Sequence, residues 1–326
     1  MSRAARRLAY ALVPVVVLVV GSELALRAAG WPGEADARRF AHMSVYWSEP
    51  PGQSLEAHPH KETGGSFRVS TDTNGLRAPI HPVERSTATP RVMTLGCSTT
   101  FGWGVDDAET YPARLESRLN AGGHAVEVIN AGQPGYTSFQ GLWLWDKALA
   151  TYKPDVVVWG YIVQDARKVA YSDRSQAVLQ QDGEFLKRNL LYRLKLYVGM
   201  KSLLDDLRIE AKEDAGPDGG VYRVSPEEYV ENLRAFKART DAVGAKLVLF
   251  GFPLEREGYT GEHRRILHAA SKVLDVPVYD PQPGFEQLTR GETLFFPQDR
   301  GHANAAGLDR IAEGVAGFLV DKGLVK

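Results

Sequence analysis

Val92-Met93-Thr94-Leu95-Gly96-Cys97-Ser98-Thr99-Thr100-Phe101-Gly102 is the stretch on which the reading of this chain turns. Val92 to Leu95 reads as a buried strand, and Ser98 stands where a helix or tight turn should begin. A serine so placed exposes its hydroxyl beside outward-pointing backbone N–H groups, the environment that a developing oxyanion requires. An α/β-hydrolase elbow, Gly-x-Ser-x-Gly, does not fit, because Thr100 occupies the place of its second glycine. A phosphate loop does not fit either, since no Gly-Lys-Ser/Thr follows. Taken alone, the stretch equally allows Ser98 and Thr99 to be simple helix-capping residues.

Working outward, strand and helix patterns alternate. Apolar runs recur at Val92 to Leu95, Val126 to Ile129, Val156 to Tyr161, Leu247 to Phe252 and Val276 to Tyr279. Their near-continuous hydrophobicity suits parallel strands buried on both faces. Between them, Tyr111, Leu115 and Leu119 share a helical face, as do Tyr229, Leu233 and Phe236. Leu308, Ile311, Val315, Phe318 and Leu319 mark a last helix, with Asn304 its expected N-cap. The alternation predicts a doubly wound, mostly parallel five-stranded sheet in three α/β/α layers, flavodoxin-like, with its site at the C-terminal strand ends.

The chemistry-bearing residues cluster where that topology puts a site. Asp299-Arg300-Gly301-His302 lies between the fifth strand and the last helix, spaced so that a carboxylate reaches one imidazole nitrogen while the other faces a serine. Asn130-Ala131-Gly132-Gln133-Pro134-Gly135 follows the second strand, where a glycine permits close backbone approach and an N–H donor. Gly160-Tyr161-Ile162-Val163-Gln164-Asp165 follows the third and offers a side-chain amide. Ser98, Asp299 and His302 are thus candidate nucleophile, orienter and base. Cys97 is a rival nucleophile, but neighbouring side chains in an extended turn point apart, so Cys97 and Ser98 cannot both face His302. His58, His60 and His81 sit in a Pro-rich stretch without a complete ligand set, so no metal site is expected.

The remainder of the chain bounds the partners. Lys and Arg number 39 against 40 Asp and Glu, so no overall field favours nucleic acid. One cysteine excludes an intrachain disulfide. Arg3, Arg6 and Arg7 precede the apolar run Leu8 to Val20, which reads as an export signal. Ala25-Leu26-Arg27 offers no small-x-small cleavage site, so an uncleaved signal-anchor over residues 1–30 is expected, with a cleaved signal peptide as the alternative. The positive-inside rule then puts the main domain outside the cytoplasm, on the periplasmic or extracellular face. Residues 31–90 are dense in Pro and Gly and read as a linker and N-terminal extension, with a strand at Phe67 to Thr71 and a turn at Asn74-Gly75. Residues 91–326 form the main domain. It holds an insertion at about 166–225, in which Leu190 to Ile209 is helical and serves as a cap beside the site, a membrane-surface helix, or an extra helix on the sheet.

In block order, the chain resembles the SGNH (GDSL-type) hydrolase family from about residue 90 to 325, and its N-terminal segment suggests a membrane-anchored member. Gly96-Cys97-Ser98 through Gly102 matches the first block and implies Ser98 as nucleophile. Gly135 matches the second-block glycine, an implied oxyanion donor alongside the Ser98 N–H. Asp299 and His302 match the last block as orienter and base. Asn74-Gly75-Leu76-Arg77 resembles a turn ahead of the first block in membrane-anchored members. Two positions depart from the pattern. Cys97 replaces an aspartate, and Gln164 replaces the third-block asparagine, keeping the amide donor on a longer side chain. The resemblance implies a serine esterase acting on an O-acyl ester of a small molecule, lipid or cell-envelope glycan, with no metal or organic cofactor. O-acyl transfer to a polysaccharide and a catalytically degenerate glycan-binding module are its alternatives.

Overall fold

The computed structural model describes residues 3–31, 49–60, 63–85, 88–169, 172–181, 190–200, 203–204, 220–256 and 258–325. Strands β1 (Ser54–Pro59) and β2 (Ser66–Ser70) form an antiparallel pair within the N-terminal extension. The central sheet comprises β3 (Arg91–Gly96), β4 (Glu127–Gly132), β5 (Val156–Trp159), β8 (Lys246–Phe250) and β9 (Val278–Tyr279). They run parallel in the order β4-β3-β5-β8-β9, the doubly wound arrangement expected. Between β5 and β8, the two-residue strands β6 (Lys168–Val169) and β7 (Val221–Tyr222) pair antiparallel and so close the ends of the insertion on each other.

Helix α1 spans Arg3–Ala28. In the main domain, α2 (Ser98–Phe101), α3 (Tyr111–Ala121), α4 (Ser138–Lys147), α5 (Pro226–Ala242), α6 (Gly261–Leu274) and α7 (Ala305–Asp321) connect or follow the strands. Their starts follow local chemistry. Thr110 Oγ1 accepts the Ala113 N–H at the head of α3, with Pro112 in the first turn, where no N–H donor is missed. Asn304 caps α7 as expected, accepting the Gly307 N–H at 3.0 Å. α3 packs with α7 on one face of the sheet, and α5 packs with both α4 and α6 on the other. Val92, Met93, Leu95, Val128, Val157 and Leu249 are buried from both sides, which is why these strands read as unbroken apolar runs.

The described chain divides into two compact units, one of residues 48–174 and 221–326, the other of residues 1–47 and 175–220. In the second, Glu23 of α1 accepts the N–H groups of Lys195 and Leu196, and Arg27 donates to the Arg193 carbonyl at 2.8 Å. Residues 195–200, a helical part of the expected Leu190 to Ile209 segment, are therefore held at their N-terminus by a carboxylate from α1. Residues 201–202 and 205–209 of the expected helix and most of the polar loop at 214–220 lie outside the described residues, as does 32–48 of the expected linker.

Among the described residues no helix is long and apolar enough to cross a membrane, so the transmembrane signal-anchor finds no support.

Candidate active site

All the strand-end candidates belong to the unit of residues 48–174 and 221–326. β3 ends in Gly96, and Cys97 caps the single turn of α2, its carbonyl accepting the N–H groups of Thr100 and Phe101. Ser98 is the first residue of α2, so its own N–H has no intrahelical acceptor. Side chains are excluded from the strand ends around this turn. A Cβ on Gly96 would collide with the Thr100 hydroxyl, and one on Gly132 with the backbone N of Phe101. Both glycines let the turn sit directly on the ends of β3 and β4.

The structure brings Ser98, His302 and Asp299 together in the order that the spacing predicted. His302 Nε2 lies 2.7 Å from Ser98 Oγ, and His302 Nδ1 lies 2.6 Å from Asp299 Oδ2. With Nδ1–H donating to the carboxylate, Nε2 is left as the acceptor for the Ser98 hydroxyl. The loop is closed by its own backbone, as the His302 N–H donates to the Asp299 carbonyl and the Phe296 N–H to the His302 carbonyl. Burial pushes the Asp299 carboxyl up, but the hydrogen bond from His302, the charges of His302 and His60 and the Gly301 N–H outweigh it and hold the group below the usual carboxylate range. An ionised Asp299 so placed can stabilise positive charge on the His302 ring.

Cys97 does not share this geometry. Its side chain is buried, and its Sγ meets Thr99 Oγ1 at 3.2 Å. Burial pushes the thiol pKa up, so it stays protonated and poorly nucleophilic.

Gly135 and Gln164 meet at a residue absent from the sequence reading, Arg223. Gly135 has φ +76°, and its carbonyl accepts from Arg223 Nη1 at 2.7 Å. The same nitrogen donates to Gln164 Oε1 at 3.1 Å. Arg223 also grips Asp173, Nε to Oδ1 and Nη2 to Oδ2, both at 2.9 Å, and donates to Gln140 Oε1 at 3.1 Å. Asp173 in turn accepts from Thr137 Oγ1 at 2.6 Å. Arg223 directly follows β7, and Gln164 lies shortly before β6, so the strand pair that closes the insertion delivers one to the other. No motif marks Arg223 or Asp173, because their pairing is created by the closure of a long insertion.

The turn at Asn74 to Arg77 acquires a physical function. Arg77 is buried and commits Nε to Asp107, Nη1 to the carbonyls of Phe101 and Gly102, and Nη2 to those of Arg68 and Val105. It thereby fixes the loop that leaves α2. Of the three histidines set aside as ligands, His81 meets Glu116 at 2.6 Å, and His58 and His60 join an aromatic cluster with Phe67 and Trp103. Among the described residues no group of three His, Cys, Asp or Glu side chains is arranged to hold a metal.

Comparison with known proteins follows the same lines. No curated protein matches the chain. Among solved structures, the chain is similar to TesA at 21% identity, covering 72% of this chain and 99% of that one, with a TM-score of 0.48. It is similar to the lipase/acylhydrolase of Enterococcus faecalis at 19% identity, covering 73% and 98%, with a TM-score of 0.49. A catalytic mutant of an acetylxylan esterase from Geobacillus stearothermophilus matches at 16% identity, covering 72% and 95%, with a TM-score of 0.46. The model of the GDSL-like lipase/acylhydrolase family matches residues 94–310, from the third residue before Cys97 to the first turns of α7. That match spans the Ser98 turn, both middle strand ends and the Asp-x-x-His loop, and this chain belongs to the GDSL-like lipase/acylhydrolase family.

Proposed function

We propose that this protein is a serine esterase that cleaves an O-acyl ester through an acyl-enzyme. Ser98 Oγ attacks the carbonyl carbon as His302 Nε2 takes its proton, and Asp299 holds the imidazole and balances its charge. The resulting oxyanion is met by the N–H groups of Ser98 and Gly135 and by the Gln164 amide. His302 then returns the proton to the departing alkoxide, and the acyl group passes to water. The observation that carries this reading is the 2.7 Å contact between Ser98 Oγ and His302 Nε2, with Asp299 2.6 Å behind it. Catalytic degeneracy would tolerate the loss of that alignment, and here it is intact.

The acyl acceptor and alcohol belong to the proposal at a coarser grain. Water makes the enzyme a hydrolase, whereas a glycan hydroxyl in the same position makes it an O-acyltransferase. Activity outside the cytoplasm is supported by Arg3, Arg6 and Arg7 ahead of Leu8 to Val20. Fractionation that finds the intact chain in the cytosol would remove that element.

The test is reaction of the full chain with a fluorophosphonate, mapping the modified residue by mass spectrometry, alongside hydrolysis of p-nitrophenyl acetate. Modification at Ser98, lost in His302→Ala, is the expected result. Turnover should fall by about 10⁴-fold or more in Ser98→Ala. A folded protein that neither reacts nor turns over ester overturns the reading in favour of a binding module.

A further inference from the structure

Gln164 presents a difficulty that the chain resolves elsewhere. A glutamine has one more rotatable bond than an asparagine, so its amide is a poorer preorganised donor unless something restrains it. Arg223 supplies the restraint. A guanidinium carries donors only, so it can meet the Gln164 amide solely through Oε1, which turns the amide N–H groups away from Arg223. The nitrogen that does so, Nη1, also holds the Gly135 carbonyl, which fixes the Gly135–Tyr136 peptide plane and so limits the backbone rotation of Gly135, the residue whose N–H is the donor.

Arg223 has no capacity left for anything else. Its Nε reaches Asp173, its Nη1 reaches Gly135 and Gln164, and its Nη2 reaches Asp173 and Gln140. Those contacts use all five N–H donors of an arginine. It is therefore not available to bind substrate. Asp173, itself buried and held by Thr137, locks the fork bidentately and fixes where the remaining donors point.

We propose that Arg223 is the positioning residue of the oxyanion hole, a single guanidinium nitrogen holding Gly135 and Gln164 in register with Ser98. This rests on the esterase reading given above. Arg223 does not touch the reacting atoms and acts through the two groups it holds. The insertion thus contributes to catalysis at its closing strand.

The experiment compares the wild-type full chain with Ser98→Ala, Arg223→Lys, Gln164→Ala and the double variant Arg223→Lys/Gln164→Ala, using p-nitrophenyl acetate. Lysine keeps a cation beside Asp173 but cannot fork to Gly135, Gln164 and Gln140 together. Arg223→Lys should lower kcat by roughly tenfold or more with KM changed by less than about threefold. Its effect should shrink in the Gln164→Ala background, because half of what it holds is already gone. In parallel, ¹⁵N relaxation of the Gln164 side-chain amide, assigned by its loss in Gln164→Ala, should show an ordered group in wild type and a mobile one in Arg223→Lys. If Arg223→Lys does not fold, Asp173→Asn loosens the same fork and should give the same pattern in weaker form. Fully multiplicative effects, a loss carried by KM, or an amide equally ordered without Arg223 would overturn the proposal. Wild-type turnover that Ser98→Ala leaves unchanged overturns the esterase reading instead, and the relaxation data then decide the positioning claim by themselves.

Discussion

His60 Nε2 lies 3.7 Å from Asp299 Oδ2, the same oxygen that meets His302 Nδ1 at 2.6 Å. A residue from the end of the N-terminal hairpin therefore stands behind the carboxylate that orients the base. His60 is 2% exposed and packs against Phe296, with ring centroids 5.1 Å apart, and against Trp103 at 6.4 Å. Its charge is one of the influences that hold the Asp299 carboxyl low.

Replacing His60 should consequently be felt at the triad. His60→Ala removes that influence and opens space against Phe296, so the Asp299–His302 pair loses its fixed geometry. A fall in kcat of about threefold to tenfold is expected, with His60→Gln milder because it keeps bulk and a polar end. Steady-state kinetics on both variants check this, and unchanged kcat in His60→Ala would make the contact incidental.

Arg77 should matter for stability as well as rate. Arg77→Met leaves the carbonyls of Arg68, Phe101, Gly102 and Val105 without its donors and Asp107 without its cation. Removing one partner of a buried charged network costs about 3–5 kcal/mol. Urea unfolding of Arg77→Met measures this. A loss below about 1 kcal/mol would mean that the loop leaving α2 finds other partners.

Cys97 should be dispensable for turnover. Its buried, protonated thiol faces Thr99, so Cys97→Ala should keep fluorophosphonate modification at Ser98 and most of kcat. Native protein should resist iodoacetamide, and urea should expose the thiol. Rapid alkylation of the folded protein, with loss of activity, would transfer the nucleophile's role to Cys97.

Asp165 makes stability depend on pH in an unusual direction. Its carboxyl is fully buried, and burial pushes its pKa up from 3.8 to about 7, against the hydrogen bond from Ser138. The unfolded chain therefore ionises this group near 3.8 while the folded protein keeps its proton until about 7. Folding stability from Asp165 should fall as pH rises through that window and level off above it. Asp165→Asn keeps an acceptor for the Ser138 N–H and removes the titration. Its stability advantage over wild type should grow from pH 5 to pH 8 in urea melts. An advantage independent of pH would show that Asp165 ionises in the folded state.

How far the residues alone reach can be seen strand by strand. Val92 to Leu95 and Val156 to Tyr161 announced buried parallel strands because a strand covered on both faces needs apolar side chains at every position. Asn304 and the Leu308 to Leu319 stripe announced α7 because capping and helical period are local in sequence. Ser98 and the Asp299–His302 spacing were legible for a related reason: each occupies a short motif whose geometry its neighbours impose. The signal-anchor expected of the N-terminal segment finds no support, because among the described residues no helix is long and apolar enough to cross a membrane.

What the linear sequence determined is therefore the alternation of elements, the strand ends, and the two short motifs that carry Ser98 and the Asp299–His302 pair, each set by contacts within a few residues, whereas the meeting of the two motifs spans 204 positions. What only the tertiary structure decided is which distant groups hold that constellation in place. Arg77 on the turn before β3, His60 at the end of β1, and Arg223 after an insertion closed by β6 and β7 each act across a long gap in sequence. An arginine or histidine in isolation carries no sign of its partner. Its meaning comes from the buried carbonyls and carboxylates that the fold leaves in need of a donor.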